Sequence, residues 1–446
     1  HCVAVPDLWQ PIHQSAGQGV LGERLQRLPH PRPLPRVHGR VRHDGLLGLA
    51  RRGLAEQQQV SILGDVAPEA GEPVVDLGDS IIFPAFVNAH CHLDYSGLAG
   101  KLSPGTSFAD WVAQIVLIKQ SSTHEDHEAA WLAGADMLLS TGCGTVSNIE
   151  SVPGMYARMA PQTPLQVCPF IELIAYHSED ETAAIDLAQC ELMANESLAL
   201  KVGVSPHAPY TMTPEGLNAL ALFADEHLLP MSIHLAESND EWDMFVHGAG
   251  PLYDTMSSLG RVMDDCGKGT PVQYLAKTAG FAKKSLVVHA NRLSDADVER
   301  LQRVGACVVH CPRSHAWFRH ANFDYDRLAK AELNICIGTD SLASTNSETP
   351  VTGLNMFAEM QEFSQNHPQL SCEDMLQMAT ANGATALGLG GEIGVLKEGF
   401  IANMAVIPHR DSMSSVPEAI VQHSCAVAML IIEGKRVFSG IDSIVD

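Results

Sequence analysis

The fold is decided by residues 83–94, with the sequence FPAFVNAHCHLD. A short apolar run after a proline is typical of a buried strand. The run ends in His90-Cys91-His92, and residues two apart on a strand point to the same face. Two imidazoles side by side can chelate one metal ion, but two ligands do not complete a site. The remaining ligands must come from other parts of the chain.

Apolar runs of this kind recur from about residue 81, and a longer segment of helical period follows each of them. Some of these segments open with a helix cap, as at Ser107, Ser294 and Thr213, the last followed by a proline. Continuous apolar strands without a glycine-rich phosphate loop favour an α/β fold, a closed (β/α)8 TIM barrel, and an open parallel sheet is the alternative. The eight predicted strands are residues 81–87, 144–147, 165–173, 200–204, 231–235, 285–289, 306–310 and 334–337.

Both ends of the chain depart from this rhythm, so we predict a small β domain built from the two ends, with the barrel between them at residues 81–390. Residues 1–80 would form its N-terminal part. The proline-rich run 29–36 predicts an atypical, poorly ordered connection there. Residues 391–446 would form its C-terminal part. The strands predicted for the small domain are residues 60–63, 73–77, 391–397, 402–408 and 426–438.

Composition excludes several classes of protein. The formal net charge of −24 argues against a general binder of nucleic acid or of an anionic membrane. No apolar stretch reaches the roughly 18–20 residues that a membrane span needs, and no secretory signal is evident. The 11 cysteines are scattered without a Cys-x-x-Cys pair, which predicts buried, reduced thiols and a cytoplasmic protein.

The predicted strands end in residues that can carry chemistry, and in a parallel barrel all such ends meet on one rim. Three imidazoles and a carboxylate suit Zn²⁺ or Fe²⁺ and leave a position for water. Bound zinc lowers the pKa of water from 15.7 to about 7, which supplies hydroxide at neutral pH. The residues at these ends are His90, His92, His207, His234, Glu237, His289, His310, Asp340 and Ser341.

From about residue 81 to its end the chain resembles the metal-dependent amidohydrolases, in the branch of cytosine deaminases, adenosine-type nucleoside deaminases and triazine chlorohydrolases. The resemblance implies one divalent metal ion, with zinc favoured and iron as the alternative. It also implies a homo-oligomer, with a dimer favoured. The motifs that carry it are NAHCHL at 88–93, PHAPY at 206–210, HLAE at 234–237, VHA at 288–290, HCPRS at 310–314 and GTDS at 338–341.

The same resemblance implies a role for individual residues. A carboxylated lysine is not expected, because the fourth strand ends in Ser205-Pro206-His207. The side chains that would handle protons are Glu237, His289 and Asp340, and Asp340 would also bind the metal. The implied metal ligands are His90, His92, His234 and Asp340, and the implied substrate contacts are His207, Trp111, Arg313 and Ser341.

Three hypotheses of function follow. The first is hydrolytic deamination of an aminopurine nucleoside or base, in which metal hydroxide attacks the ring carbon and ammonia leaves. The loops after strands one and seven are similar to the aminodeoxyfutalosine deaminase-like group, although Ser314-His315 departs from the Ser-Asn of many relatives. The second is dechlorination or another C–N hydrolysis of an N-heterocycle at the same site. The third is a barrel scaffold without catalysis, which predicts lost ligands.

Overall fold

The computed structural model describes residues 40–42 and 74–440, except 104–106, 322, 346–352 and 410–414. Its largest sheet has eight parallel strands that pair in chain order. The predicted runs at 231–235, 285–289 and 334–337 are strands with the predicted bounds, and the other runs are strands with shifted ends. The strands are β4 (Phe86–Cys91), β5 (Cys143–Glu150), β6 (Gln166–Leu173), β7 (Gly203–Pro206), β8 (Met231–Leu235), β9 (Ser285–His289), β10 (Cys307–His310) and β11 (Asn334–Ile337).

The first and last strands of this sheet meet and close it into a barrel. A parallel bridge joins Cys91 to Asp340, and His90 O accepts the N–H of Thr339 at 3.0 Å. The Asn88 side chain donates to Thr339 Oγ1 at 2.7 Å and accepts the Thr339 N–H at 3.1 Å. We call this seam between β4 and β11 the closing seam. The prediction of a closed barrel over an open sheet is confirmed.

The barrel strands are buried on both faces because side chains fill the interior and helices cover the outside. The interior holds small and branched residues such as Ala89, Ile149 and Val288, together with Phe170. Residues of the opposite face, such as Val146 and Ile171, join the larger core under the helices. This double burial explains why the strands read as continuous apolar runs.

Helices follow the strands, and their predicted caps are present. Ser107, Thr213 and Ser294 each accept a backbone N–H from the first turn of the helix they precede. The helices are α1 (Phe108–Ser121), α2 (His124–Ser140), α3 (Met155–Met159), α4 (Glu181–Asn195), α5 (Pro214–Glu226), α6 (Asn239–Trp242), α7 (Pro251–Ser258), α8 (Pro271–Lys277), α9 (Asp295–Val304), α10 (Pro312–Phe318), α11 (Tyr325–Lys330), α12 (Met356–Asn366), α13 (Cys372–Met378), α14 (Ala381–Ala386) and α15 (Val416–Val421).

A four-stranded antiparallel sheet combines segments from before and after the barrel, as predicted. Its strands are β3 (Ser80–Pro84), β12 (Met404–Pro408), β13 (Met429–Ile432) and β14 (Lys435–Ser439), in the order β14-β13-β12-β3. The predicted strand 81–87 is therefore wrong in its extent. Ala85 separates β3, in the small sheet, from β4, in the barrel, because Ala85 N donates to Asn403 O instead of continuing either strand.

The other strands predicted near the chain ends have different outcomes. Residues 391–397 are turns and loop, so that prediction is wrong. Strand β2 (Val74–Asp76) pairs in parallel with β1 (Arg40–Arg42) and forms a separate two-stranded sheet. The predicted strand 60–63 and the proline-rich run 29–36 lie outside the described residues. Within the described part of the chain, no helix is both long and apolar enough to cross a lipid bilayer.

Candidate metal centre and active site

Three imidazoles meet at the carboxyl end of the barrel strands. His90 and His92 come from the end of β4, and His234 comes from β8. One ring nitrogen from each lies within 4.8 Å of the others, and all three residues are buried. The Nε2 atoms of His92 and His234 are 3.4 Å apart. The predicted ligands from two distant parts of the chain therefore converge.

The three side chains fit a tetrahedral zinc ion. Metal–nitrogen distances of roughly 2.0–2.1 Å put two ligand nitrogens about 3.3 Å apart, close to the His92–His234 separation. Both ring nitrogens of His90 are buried without a hydrogen-bond partner among the described residues. His234 Nδ1 donates to the His207 carbonyl at 2.8 Å, which leaves Nε2 with its lone pair toward the centre. Burial lowers the pKa of His234 to about 4 and keeps the ring neutral, as a ligand must be.

Asp340 lies beside the imidazoles. Its Oδ1 is 3.7 Å from Nε2 of His90 and 3.7 Å from Nε2 of His92. Burial alone would raise the pKa of this carboxyl, but His90, His289 and His92 outweigh burial and hold the pKa well below its usual value. The Ser344 hydroxyl is 3.3 Å from Oδ2. Asp340 is therefore an anion placed to bind a cation or to accept a proton.

Glu237 and His289 form a second pair next to the three imidazoles. Glu237 Oε1 is 3.5 Å from His289 Nε2. Burial raises the pKa of Glu237 well above its usual value, and the charges of Asp340 and Glu241 raise it further. Burial also lowers the pKa of His289 well below its usual value. Burial thus favours the protonated form of the carboxyl group and the neutral form of the imidazole.

The backbone is strained where these side chains leave the strands. Four non-glycine residues there have positive φ: Ala236 (54°), His289 (74°), Ala290 (49°) and Asp340 (54°). Such conformations cost of order 1–3 kcal/mol each and persist where the surrounding structure requires them. Each follows or ends a barrel strand and turns the chain sharply at the rim. The strain therefore coincides with the residues that line the candidate site.

The predicted substrate contacts lie in different surroundings. His207 is on the rim next to His234, with ring centroids 5.0 Å apart, and its Nδ1 is 3.0 Å from Thr211 Oγ1. Ser341 follows Asp340 and is buried. Both lie close to the three imidazoles, and their contact with the substrate stays a prediction.

Trp111 and Arg313 have partners within the protein. Trp111 Nε1 donates to Ala343 O at 3.2 Å, and its ring packs edge-on against Phe318 at 5.0 Å. Arg313 Nη1 donates to Gly353 O at 2.8 Å and lies 3.6 Å from Glu359 Oε1. A substrate contact by either side chain stays a prediction, since both are already engaged.

His310, which the sequence left undecided, points away from the metal centre. Its ring stacks on Phe323 with centroids 3.9 Å apart and lies 5.1 Å from His315. Nδ1 of His310 is buried and has no partner among the described residues. His310 is not one of the three clustered imidazoles.

The loop after strand one, which contains Tyr95, was among the segments that carried the resemblance, but no role was predicted for Tyr95, and no motif contains Lys119 or Glu172. Tyr95 stacks on His92 with an interplanar angle of 4° and fixes the orientation of that ligand. Lys119 Nζ lies 3.9 Å from Glu172 Oε2. Burial raises the pKa of Glu172, and Lys119 and His90 partly oppose that rise, which places Glu172 near the metal centre. The alternation of β6 puts Glu172 on the inner face with Phe170, a signal that could have identified it.

A cavity of about 530 Å³ adjoins Lys119 and Glu172. Its walls come from the ends of β5 and β6 and from α1, α2 and α4, and they are largely apolar. Cavities of roughly 300–1,000 Å³ with a few polar groups are typical of small-molecule sites. The charged pair therefore forms part of the wall of a space large enough for part of a ligand, and none of the three imidazoles lines that space.

Comparison with known proteins gives consistent relatives. The Amidohydrolase family matches residues 81–437. Aminodeoxyfutalosine deaminase of Deinococcus radiodurans is 29% identical over 74% of this chain and 81% of its own. The 5-methylthioadenosine/S-adenosylhomocysteine deaminase of Thermococcus sibiricus is 28% identical over 86% of this chain and 88% of its own. The crystal structure of Helicobacter pylori aminofutalosine deaminase with methylthio-coformycin has a TM-score of 0.72 at 23% identity, covering 82% of this chain and 89% of that one.

Proposed function

This chain belongs to the amidohydrolase family, and from that premise we propose that it is a metal-dependent deaminase of an aminopurine nucleoside. The observation that carries the proposal is the convergence of His90, His92 and His234, with Glu237 buried beside them. The similar sequences named above are deaminases of adenine nucleosides, in agreement with this chemistry. The third hypothesis, a scaffold without catalysis, predicts lost ligands, and no predicted ligand has been lost.

We propose that His90, His92, His234 and Asp340 hold one divalent ion, zinc in preference to iron, because three imidazoles and one carboxylate form a common zinc donor set. A bound ion of this kind lowers the pKa of water and so supplies a nucleophile at neutral pH. The reaction replaces the exocyclic amino group of the purine with oxygen and releases ammonia. The residues of the chain then have to move protons and hold the ring.

Glu237 is proposed as the proton donor. Burial raises its pKa and so favours the protonated carboxyl group, and that proton can pass to the ring nitrogen next to the reacting carbon. Asp340, which stays ionised, can accept a proton from the attacking water. His289 lies 3.5 Å from Glu237 and can exchange a proton with it or hold the water. The ionised Glu237 can then take the proton of the hydroxyl group newly bonded to the ring carbon and pass it to the amino group, which leaves as ammonia as the C=O bond forms. The proton held by Asp340 restores Glu237.

The cavity beside Lys119 and Glu172 has a volume of about 530 Å³, which is enough for the sugar of a nucleoside. The ammonium and the carboxylate are 3.9 Å apart, too far for a direct hydrogen bond, so both keep capacity for hydroxyl groups of a sugar. We propose that the sugar and its substituent extend into this cavity. His207 is proposed to contact the purine on the rim.

The proposal extends to the surroundings of the enzyme. All the cysteines that the structure describes are free thiols, which supports a reducing compartment such as the cytoplasm. The net charge of −24 supports a small-molecule substrate over nucleic acid. The predicted homodimer stays a prediction, and the molar mass in solution from light scattering would test it.

The function is tested by loading the purified protein with zinc and offering adenosine, 5′-methylthioadenosine, S-adenosylhomocysteine, aminodeoxyfutalosine, adenine, guanine, cytosine and a chlorotriazine. Ammonia and chloride are both measured. We expect ammonia from one or more adenine nucleosides and much less from the free bases. Chloride from the triazine without ammonia from any nucleoside would replace deamination with dechlorination at the same site.

A further inference from the structure

We propose that Glu241, on α6, is a positioning residue that holds the proton donor Glu237 in place. Its two carboxylate oxygens accept two consecutive backbone N–H groups. Oε1 accepts from Ala236 N at 3.0 Å, and Oε2 accepts from Glu237 N at 2.7 Å. The side chain is only about 1% exposed. This role rests on the proposed function in one respect, namely that Glu237 transfers a proton.

The turn that carries Glu237 explains why such an acceptor is needed. Strand β8 ends at Leu235, and Ala236 then takes a φ of 54°. This sharp turn directs the N–H groups of Ala236 and Glu237 away from the sheet, where they would be buried without acceptors. A carboxylate offers two oxygens at a fixed spacing and forms strong, charge-assisted hydrogen bonds to N–H groups. Glu241 therefore stabilises a backbone conformation that the strand alone would not adopt.

The carbonyl groups of the same turn accept hydrogen bonds from residues that follow β9, the neighbouring strand. Asn291 Nδ2 donates to Glu237 O at 3.0 Å. The backbone N–H groups of Asn291 and Arg292 donate to Ala236 O at 3.0 and 3.1 Å. Both peptide groups next to Glu237 are thus fixed, and only its side-chain torsions remain free. Glu241 accepts the hydrogen bonds from the N–H groups in this arrangement.

The position of Glu241 is itself fixed by the start of its helix. Ser238 Oγ accepts the N–H of Glu241 at 3.1 Å as the cap of α6. Glu241 therefore sits one helical turn after the residue it positions and reaches back toward it. It bonds to backbone atoms only, so it does not take part in the chemistry directly.

The substitution Glu241→Gln separates this role from simple packing. Glutamine has the same size but only one acceptor oxygen, so its NH₂ group would face one of the two N–H groups. We expect kcat to fall about 10- to 100-fold, the range that small misplacements of catalytic groups produce. KM and the zinc content per chain should stay unchanged, because the ligands and the cavity are not touched. Glu241→Met, which has no acceptor oxygen, should lower kcat at least as far.

The matched control is Asp225→Asn. The Asp225 carboxylate also accepts a backbone N–H, that of Lys283 at 2.7 Å, but at the opposite end of the barrel, before β9. This variant should keep the kcat of the unmodified protein. A change in kcat of equal size in the control would show that any lost carboxylate acceptor lowers activity, and the positioning role would be wrong.

Hydrogen exchange provides a readout that does not depend on activity. In the zinc-loaded protein, the peptide that covers residues 231–245 should exchange faster in Glu241→Gln, and peptides elsewhere should not. Faster exchange with lower kcat and full zinc supports the proposal. Unchanged kcat at full zinc, or loss of kcat together with loss of zinc, overturns it. If the unmodified protein deaminates none of the nucleosides, the proposed function is wrong. Unchanged hydrogen exchange of this peptide in Glu241→Gln would show separately that Glu241 does not stabilise the turn.

Discussion

Among single residues, Glu237 shows how burial sets a chemical role. It is surrounded by Asp340, Glu241 and His289, and it is nearly inaccessible to solvent. An isolated carboxyl group would be ionised at neutral pH, whereas burial and two neighbouring carboxylates raise the pKa of Glu237 and favour its protonated form. The structure thus places an acid and a base, Glu237 and Asp340, within one site and sets their pKa values in opposite directions.

Replacing this acid should remove catalysis without removing the metal. Glu237→Gln keeps the volume of the side chain but cannot donate or accept the transferred proton. We expect kcat to fall by about 10²- to 10⁴-fold or more, the contribution of a positioned acid–base group. Zinc content, measured by elemental analysis, should be unchanged. Exposed Glu299→Gln is the control, and full activity in Glu237→Gln would exclude Glu237 from the mechanism.

Glu150 predicts a pH dependence of stability. Its carboxyl group is buried with Asn148 and Trp131 as donors, and burial raises its pKa to about 8. The folded protein therefore keeps a proton that the unfolded chain releases between about pH 4.5 and 8, so this group lowers stability as pH rises through that window. We expect Glu150→Gln to raise the melting temperature at pH 8.5 more than at pH 5.5.

Thermal melts of this variant at the two pH values test the sign. Glutamine keeps the oxygen that accepts from Asn148 and Trp131, so the neutral contacts remain. Glu299→Gln on the exposed face of α9 serves as the control and should show no such difference. Equal shifts of Glu150→Gln at both pH values would contradict the prediction.

At the level of strands and helices, the closing seam brings the end of β4, with His90 and His92, next to Asp340. Gly338, just after β11, passes so close to β4 that an added Cβ would lie 2.8 Å from His90 O and 2.9 Å from His90 Cβ. The added Cβ would therefore meet the backbone and the Cβ of His90, neither of which can move freely. Glycine at this position therefore allows the two ligand-bearing strands to meet.

Gly338→Ala should disturb the metal centre through this contact. Overpacking of this kind costs roughly 1–3 kcal/mol, and here the displacement falls on His90, a proposed metal ligand. We expect a lower melting temperature and less than one zinc ion per chain after dialysis. Gly391→Ala is the control, because an added Cβ there meets nothing within 4 Å. A fully zinc-loaded, stable Gly338→Ala protein would show that the closing seam can accommodate a methyl group for which the structure leaves no room.

The same elements show what the sequence could predict. The sequence could predict that His90, His92 and His234 meet, because period-two spacing and strand order bring these strand ends to one rim of the barrel. The hydrogen bonds between Asn88 and Thr339 were not readable, since they join residues 251 positions apart and depend on the register of closure. The break at Ala85 was also hidden, because an apolar run looks the same whether it feeds one sheet or two.

The contacts of loop residues were harder still to predict from the sequence. The motif around Arg313 predicted a substrate contact, but whether its guanidinium turns to the site or to Glu359 depends on helix α12, some 46 residues away. Helices α13 and α14 are separated around Thr380, whose hydroxyl donates back to Leu376 O. Such local hydrogen bonds compete with the helix, and composition alone does not show which conformation is more stable.

For the whole molecule, the metal should contribute to stability as well as to chemistry. Without a cation, buried ring nitrogens of His90 and His92 have no partner among the described residues. A ligand that binds only the folded state stabilises it by about 2.7 kcal/mol when its free concentration is 100 times its Kd. We expect a chelator to lower the melting temperature by several degrees and added zinc to restore it. His92→Ala should show no zinc-dependent shift.

The closing seam also has a consequence for how the protein is made. The first strand of the barrel, with two imidazoles, leaves the ribosome long before Asp340 and its strand do. A nascent chain that ends before residue 338 can neither close the cylinder nor complete the ligand set. The full predicted ligand set is thus available only after Asp340 has been made, and products that end before residue 338 should hold the ion less tightly.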